Sequence, residues 1–170
     1  VWGRLCGLLG EVTPQALLAQ PQTALQALGL SARKVDYMRG IARQVVDGEL
    51  DLPGMAALED AEVCRRLAAL RGIGVWTAEM LLLFSLQRSD ILSYDDLAIR
   101  RGLRMLYRHK EMPRERFERY RRRFSPYGSL ASLYLWAIAG GALPELDDPA
   151  ERKKGRSRPA ASLKSTVTKD

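Results

Sequence analysis

The sequence predicts an all-α chain. Apolar residues recur every three or four positions along most of it, side-chain caps and glycine stops punctuate those stretches, and no alternating run of Val, Ile or Thr bounded by turns argues for a strand. Thr13 before Pro14 is an N-cap followed by proline at the first helical position, which opens a short helix through about Ala19. A second short helix follows Pro21 and ends near Gly29. Ser31 caps a longer one, with Val35, Met38, Ile41, Ala42, Val45 and Val46 on one side, closed around Gly48. Glu59 and Asp60 start a helix through Val63, Leu67 and Leu70, their charge placed where the helix dipole favours it. Arg71-Gly72-Ile73-Gly74 interrupts it, and a helix resumes at about Val75 and runs to Leu86, with Trp76, Met80 and Leu83 spaced for one face. After the polar loop from Gln87 to Tyr94 come two basic helices. Leu103, Leu106 and Tyr107 mark the apolar face of one; Phe117, Tyr120 and Phe124, beyond Pro113, mark that of the other. A last, apolar helix covers Ser129 to Ala139.

At 170 residues, 46% of them apolar and 28% charged, the chain is sized for one compact domain or two small lobes and can bury a core. No apolar run approaches the roughly 20 residues that span a bilayer, so no membrane partner is expected. No secretory leader opens the chain, and its first residue, Val1, reads as a trimmed or incomplete amino terminus. Cys6 and Cys64 cannot build a disulfide framework, a four-thiolate zinc site or an iron-sulfur cluster. His109 is the single histidine, so a His-dependent triad or a multi-His metal site has no partners to draw on.

The net charge of +7 is concentrated. Between Arg100 and Arg123 stand eleven basic residues and three acidic ones, leaving the remainder close to neutral. Clustered arginines on the polar faces of two helices suit an anionic partner such as nucleic acid; a solvated helical face is the alternative. From Asp147 onward the chain is weakly basic and poor in apolar residues, which reads as a disordered basic tail over 147–170.

Two helices joined by Gly72-Ile73-Gly74 form a tight hairpin, in which glycines permit backbone angles and close approaches closed to other residues. The unpaired amides opening the second helix can seat a phosphate oxygen, aided by the helix dipole; an ordinary turn is the alternative reading of the glycines alone. Asp95 and Asp96 fall at the N-cap and entry of the next helix, where a carboxylate is stabilised as an anion. An anion there can stabilise the cationic sugar that develops as a glycosidic bond breaks, or orient the attacking water.

The segment from Leu70 to Met80, Leu-Arg-Gly-Ile-Gly-Val-Trp-Thr-Ala-Glu-Met, followed by Tyr94-Asp95-Asp96-Leu97-Ala98-Ile99 and a distant Leu135-Trp136, resembles the helix-hairpin-helix (HhH-GPD) DNA glycosylases, most closely the 3-methyladenine DNA glycosylase II enzymes. The similarity covers most of residues 12–139. It implies a two-lobed helical domain over 1–146, with the hairpin at 62–86 and the catalytic aspartate region at 94–108. It implies that Asp96 is the catalytic aspartate at the mouth of a cleft, and that Trp76, Met80 and Trp136 line the base pocket. A cationic alkylated purine sits well over an indole face. It implies DNA backbone contacts near Gly72 and Gly74, with Arg71, Arg100, Arg101 and Arg104 as further contacts, and a monovalent cation, sodium or potassium, on the carbonyls of Ala68, Leu70 and Ile73. No other cofactor is required. Where relatives that also cut the backbone carry a Schiff-base lysine, this chain has Trp76, which implies a monofunctional enzyme that excises the base with water after rotating it from the duplex.

The resemblance implies a monomer acting on double-stranded DNA with damaged bases, in the cytoplasm at the nucleoid. Arg71 stands where the family usually has proline, and Ser93-Tyr94 replaces a proline-containing loop. The family also carries an upstream helix with a side chain that wedges into the duplex, and this chain starts after or within that region. Removal of a deaminated or oxidised base, a catalytically silent DNA-binding module and a helical scaffold are the alternative readings.

Overall fold

The computed structural model describes residues 1–151, and all regular structure among them is helical. The first group of helices is α1 (Trp2–Leu9), α2 (Pro14–Ala19), α3 (Gln22–Ala27) and α4 (Ala32–Val46). Thr13 Oγ1 accepts the Ala16 amide at 3.1 Å and Ser31 Oγ accepts the Lys34 amide at 3.3 Å, so both expected caps form. Leu5, Leu17, Leu25, Val35 and Ala42 close a first apolar cluster. Arg39 reaches from α4 to the Gln20 carbonyl at 2.7 Å and fixes the end of α2. Helix α1 and a short 3-10 helix at Pro53–Ala57 have no counterpart in the sequence expectations. Five residues are too few to show a period, and the Asp51 carboxylate that accepts the Gly54 amide at 2.9 Å sets that turn locally.

The hairpin follows: α5 (Asp60–Ala68) and α6 (Val75–Phe84) pack on a second cluster of Val63, Leu67, Ala78, Leu82 and Leu83, extended by Leu50, Met55 and Ile91. The last three helices, α7 (Leu97–Tyr107), α8 (Arg114–Phe124) and α9 (Gly128–Ala139), enclose a third cluster of Leu92, Ile99, Leu103, Met112, Phe117 and Leu135. Trp136 packs against both the second and the third cluster, so the boundary between α1–α6 and α7–α9 runs past its ring.

Two devices fix α7 and the loop before it. Gly102 faces the backbone of α9 so closely that a Cβ there would overlap the Leu135 carbonyl. The loop is tied to the first turns of α9: Ser129 Oγ accepts the Ile91 amide at 3.0 Å, buried Ser132 Oγ donates to the Ile91 carbonyl at 2.8 Å, and Asp90 accepts the Gly128 amide at 3.0 Å. These bonds set where the chain re-enters helix at Asp96.

The expected tail begins too early. Asp148 is only 4% exposed, and it accepts two hydrogen bonds from Arg104, at 3.1 and 2.5 Å. A charged partner 44 residues away outweighs the lack of apolar side chains near Asp148. Residues 152–170, the rest of that tail, lie outside the described residues.

Alanine at position 102 gains about 1 kcal/mol of helix propensity but must displace a backbone carbonyl, which puts the cost at the upper end of the about 1–3 kcal/mol of overpacking. Gly102→Ala is therefore expected to lower the thermal midpoint by several degrees; an unchanged midpoint would mean that α7 and α9 can part.

Candidate active site

Asp96 is the N-cap of α7. Its Oδ1 accepts the amides of Ala98 and Ile99, each at 2.9 Å, as a capping aspartate should. Its Oδ2 accepts the indole N–H of Trp76 on α6, also at 2.9 Å. The side chain is 7% exposed, and Oδ2 keeps an unfilled acceptor position. Burial alone would raise its pKa, but the Ile99 amide, the Trp76 indole, the Trp136 indole and the Ala98 amide together hold the carboxyl below its ordinary value. Trp136 acts on this charge without making a hydrogen bond of normal geometry. Asp95, by contrast, is exposed.

Helix α6 is apolar nearly all round and uses both sides. Ala78, Leu82 and Leu83 face the hairpin core, while Trp76 and Phe84 remain 47% and 59% exposed, with half-buried Met80 at the intervening turn. Leu83, expected beside Trp76 and Met80, belongs to the core; Phe84 takes its place in the stripe. Phe84 stacks on Trp136 with centroids 5.7 Å apart and planes 10° from parallel. Trp76, Trp136 and Asp96 thus converge, with an exposed aromatic edge running away from the carboxylate along α6. Phe84 continues an apolar run typical of a core helix, and its i+8 spacing from Trp76 is the one sequence signal that places it on the same face.

The hairpin turns as the glycines predict. Gly72 has φ of +93°, and a Cβ there would overlap the Tyr37 ring. Gly74 is the N-cap of α6 and offers no side-chain cap to the opening amides. Arg71 is exposed but engaged: its guanidinium lies 5.3 Å from the Tyr37 ring centroid and 3.1 Å from Asp36. No backbone amide of the described residues donates to the carbonyls of Ala68 or Ile73, and the Leu70 carbonyl accepts only the Ile73 amide, at 3.0 Å. Three carbonyl oxygens with free lone pairs are a donor set compatible with a monovalent cation.

The basic surface is more divided than its sequence suggests. Arg104 is committed to Asp148; Arg101 lies 3.8 Å from Asp148 and 3.4 Å from Glu151. A returning segment thus supplies carboxylates to the two arginines expected to contact phosphate, which the sequence by itself does not show. Arg100 and Arg114 lie over the Tyr94 ring, at 4.9 and 5.0 Å, beside the Asp95–Asp96 entry.

No pattern in the sequence marks Glu79 and Ser93. Ser93 is fully buried on the loop before Asp96, and neither its Oγ nor Glu79 Oε2 has a hydrogen-bond partner of normal geometry. Burial pushes the Glu79 carboxyl up from its ordinary value; the nearby Ser93 hydroxyl pulls it down, Asp95 raises it, and Arg121 and Arg114 lower it. Among the described residues no group of His, Cys, Asp or Glu could hold a metal ion, and no helix is long and apolar enough to cross a membrane.

Residues 1–126 match the HhH-GPD superfamily model, described as base excision DNA repair protein. The chain is 35% identical over 144 residues to DNA-3-methyladenine glycosylase 1 of Schizosaccharomyces pombe, covering 84% of this chain and 62% of that protein. It is 30% identical to DNA-3-methyladenine glycosylase 2 of Escherichia coli over 75% of this chain and 43% of the relative. A crystal structure of DNA-3-methyladenine glycosidase from Bacillus halodurans superposes with a TM-score of 0.74 and 37% identity, over 85% of this chain and 68% of that one. The S. pombe 3-methyladenine DNA glycosylase in complex with abasic DNA does so with a TM-score of 0.66 and 35% identity, over 74% and 62%. The chain therefore spans less than two thirds of the length of the two curated relatives.

Two substitutions test this geometry. Glu79 has a folded-state pKa above its reference of 4.5, so its ionisation opposes folding and stability is lost as pH rises through that value. The thermal midpoint of Glu79→Gln is expected to gain on the parent as pH rises above 4.5, and a constant difference would argue against a buried acid. Asp96 has the opposite sign: its stabilising contribution is present above 3.8 and fades as pH falls through the lower folded value. Trp76→Phe, which removes one donor and keeps an aromatic ring, is expected to cost about 1 kcal/mol near neutral pH and less in acid, as read by denaturant titration at each pH.

Proposed function

This chain belongs to the HhH-GPD superfamily of base excision DNA repair proteins, and from that premise we propose that it is a monofunctional DNA glycosylase releasing alkylated purines of the 3-methyladenine type from duplex DNA. The observation that carries the reading is the state of Asp96: a nearly buried carboxylate with three donors, kept ionised, beside two tryptophans.

An alkylated purine is cationic, so its bond to the sugar breaks without strong acid assistance. The electron pair of that bond neutralises the base, and the positive charge passes to the sugar. Asp96, fixed by the α7 amides and the Trp76 indole, places its negative charge where that cation forms, in surroundings that screen it poorly. A carboxylate held below its ordinary pKa is a poor proton acceptor. Its role is therefore electrostatic stabilisation and orientation of water, whose oxygen bonds to the sugar carbon while its proton passes to solvent.

Trp76, Met80 and Trp136, joined by Phe84, offer the flipped base an aromatic and polarisable wall suited to a cation. The amides near Gly74 at the start of α6 hold a backbone phosphate, with Gly72 giving the hairpin its turn. The carbonyls of Ala68, Leu70 and Ile73 would hold a monovalent cation, which would add positive charge to this turn. Arg100, adjacent to the Asp96 entry, supplies further attraction. Trp76 carries no amine and forms no Schiff base, so the expected product is an abasic site with the strand intact.

Base release from methylated duplex DNA is expected to fall on the order of 10²–10³-fold in Asp96→Asn, the scale of losing one oriented electrostatic group. Equal release by the two proteins would sink this role for Asp96, and release of a neutral oxidised or deaminated base in preference to 3-methyladenine would replace the substrate class.

A further inference from the structure

Four of the arginines between Arg100 and Arg123 are accounted for by Tyr94 and Asp148. Three others lie together elsewhere. Arg116, Arg119 and Arg123 follow one another by three and four residues, so they share one face of α8. With His109 and Tyr120 they line a pocket of about 380 Å³ to which no acidic residue contributes. None of the three has a carboxylate partner among the described residues. Arg116 donates to the Glu111 carbonyl at 2.9 Å, and Arg123 lies 6.0 Å from the Tyr107 ring centroid.

Tyr120, which lines the pocket, is held by ring stacking and by a hydrogen bond. Tyr107 and Tyr120 stack with centroids 4.3 Å apart, and the Tyr120 hydroxyl lies 2.7 Å from His109 Nε2. The histidine reports the local field. Burial pushes its pKa down, and the charges of Arg116 and Arg119 push it further. His109 follows the far end of α7, and eleven residues at about 1.5 Å each place that end about 16 Å from the Asp96 cap.

We propose that this pocket is a second anion site, which takes a phosphate of a DNA strand lying along the outer face of α8. Planar guanidinium forks at helical spacing match phosphate oxygens in pairs. His109 gains a proton as the phosphate charge arrives, adding a further donor. Arg119 and Arg123 are exposed, so the backbone of a long polymer reaches them without threading into a cavity. The proposal rests on the reading of this chain as a DNA-binding protein, but not on catalysis at Asp96. It gives the protein a hold on undamaged duplex that does not require a base to be flipped.

His109 is the only histidine of the chain, so its ring resonances are unambiguous in an NMR titration of the full chain. A short undamaged duplex at low salt is expected to shift them and to raise the His109 pKa by about one unit. The double variant Arg119→Gln/Arg123→Gln is expected to lose that response while keeping the parent thermal midpoint and its base release from methylated duplex within about two-fold. If base release is intact and the duplex leaves His109 unmoved, the second site is refuted while the Asp96 reading stands. A response to inorganic phosphate without one to the duplex would overturn the assignment to DNA. A duplex response that the double variant abolishes, in a protein that releases no base, would uphold the site and remove the catalytic reading.

Discussion

The Asp96 carboxylate joins two consecutive helices that pack into different apolar clusters. Through Oδ1 it caps α7, and through Oδ2 it holds the first turn of α6. Every other feature of the site depends on this junction. The hairpin delivers Trp76 there, the loop tied to Ser129 and Ser132 delivers Asp96, and the close approach of Gly102 to Leu135 brings Trp136 alongside. A free capping aspartate would be an ordinary helix start. One that also receives an indole N–H in a nearly dry setting is a fixed negative charge, with its orientation set before any ligand arrives.

Two carboxyl groups near this junction are pushed in opposite directions, for reasons visible in their surroundings. Asp96 is nearly closed to solvent yet sits below its ordinary pKa, because oriented donors outweigh desolvation. Glu79 is pushed upward, because burial dominates and Asp95 adds like charge. Burial alone does not decide ionisation; the number of donors aimed at the carboxylate does.

Seven of the eleven basic residues in the strongly basic stretch fall into three environments. One pair of arginines flanks Tyr94 near the site, one pair is turned onto Asp148, and three arginines surround His109. A charge count treats these as one surface of +8, whereas packing makes part of it structural and directs the remainder to separate faces of the molecule. Attraction for a polyanion is then a matter of which guanidiniums still lack a carboxylate.

The elements of this protein were legible because they are written in local rules. Thr13-Pro14 and Ser31 cap their helices through amides three residues away, the glycines at 72 and 74 permit the turn, and Asp96 caps α7 through the next two or three amides. Such signals act within a single turn, so the sequence carries them whole. The resemblance to a family singles out Trp76, Met80 and Trp136 as candidates, where periodicity alone assigns them to a core. What the tertiary structure decided lies at longer range: the bond from Trp76 to Asp96 across 20 residues, the stacking of Phe84 on Trp136, the burial of Glu79 and Ser93, and the capture of Arg104 by Asp148 across 44. These depend on how finished helices pack, and side chains brought together that way have no fixed spacing to read.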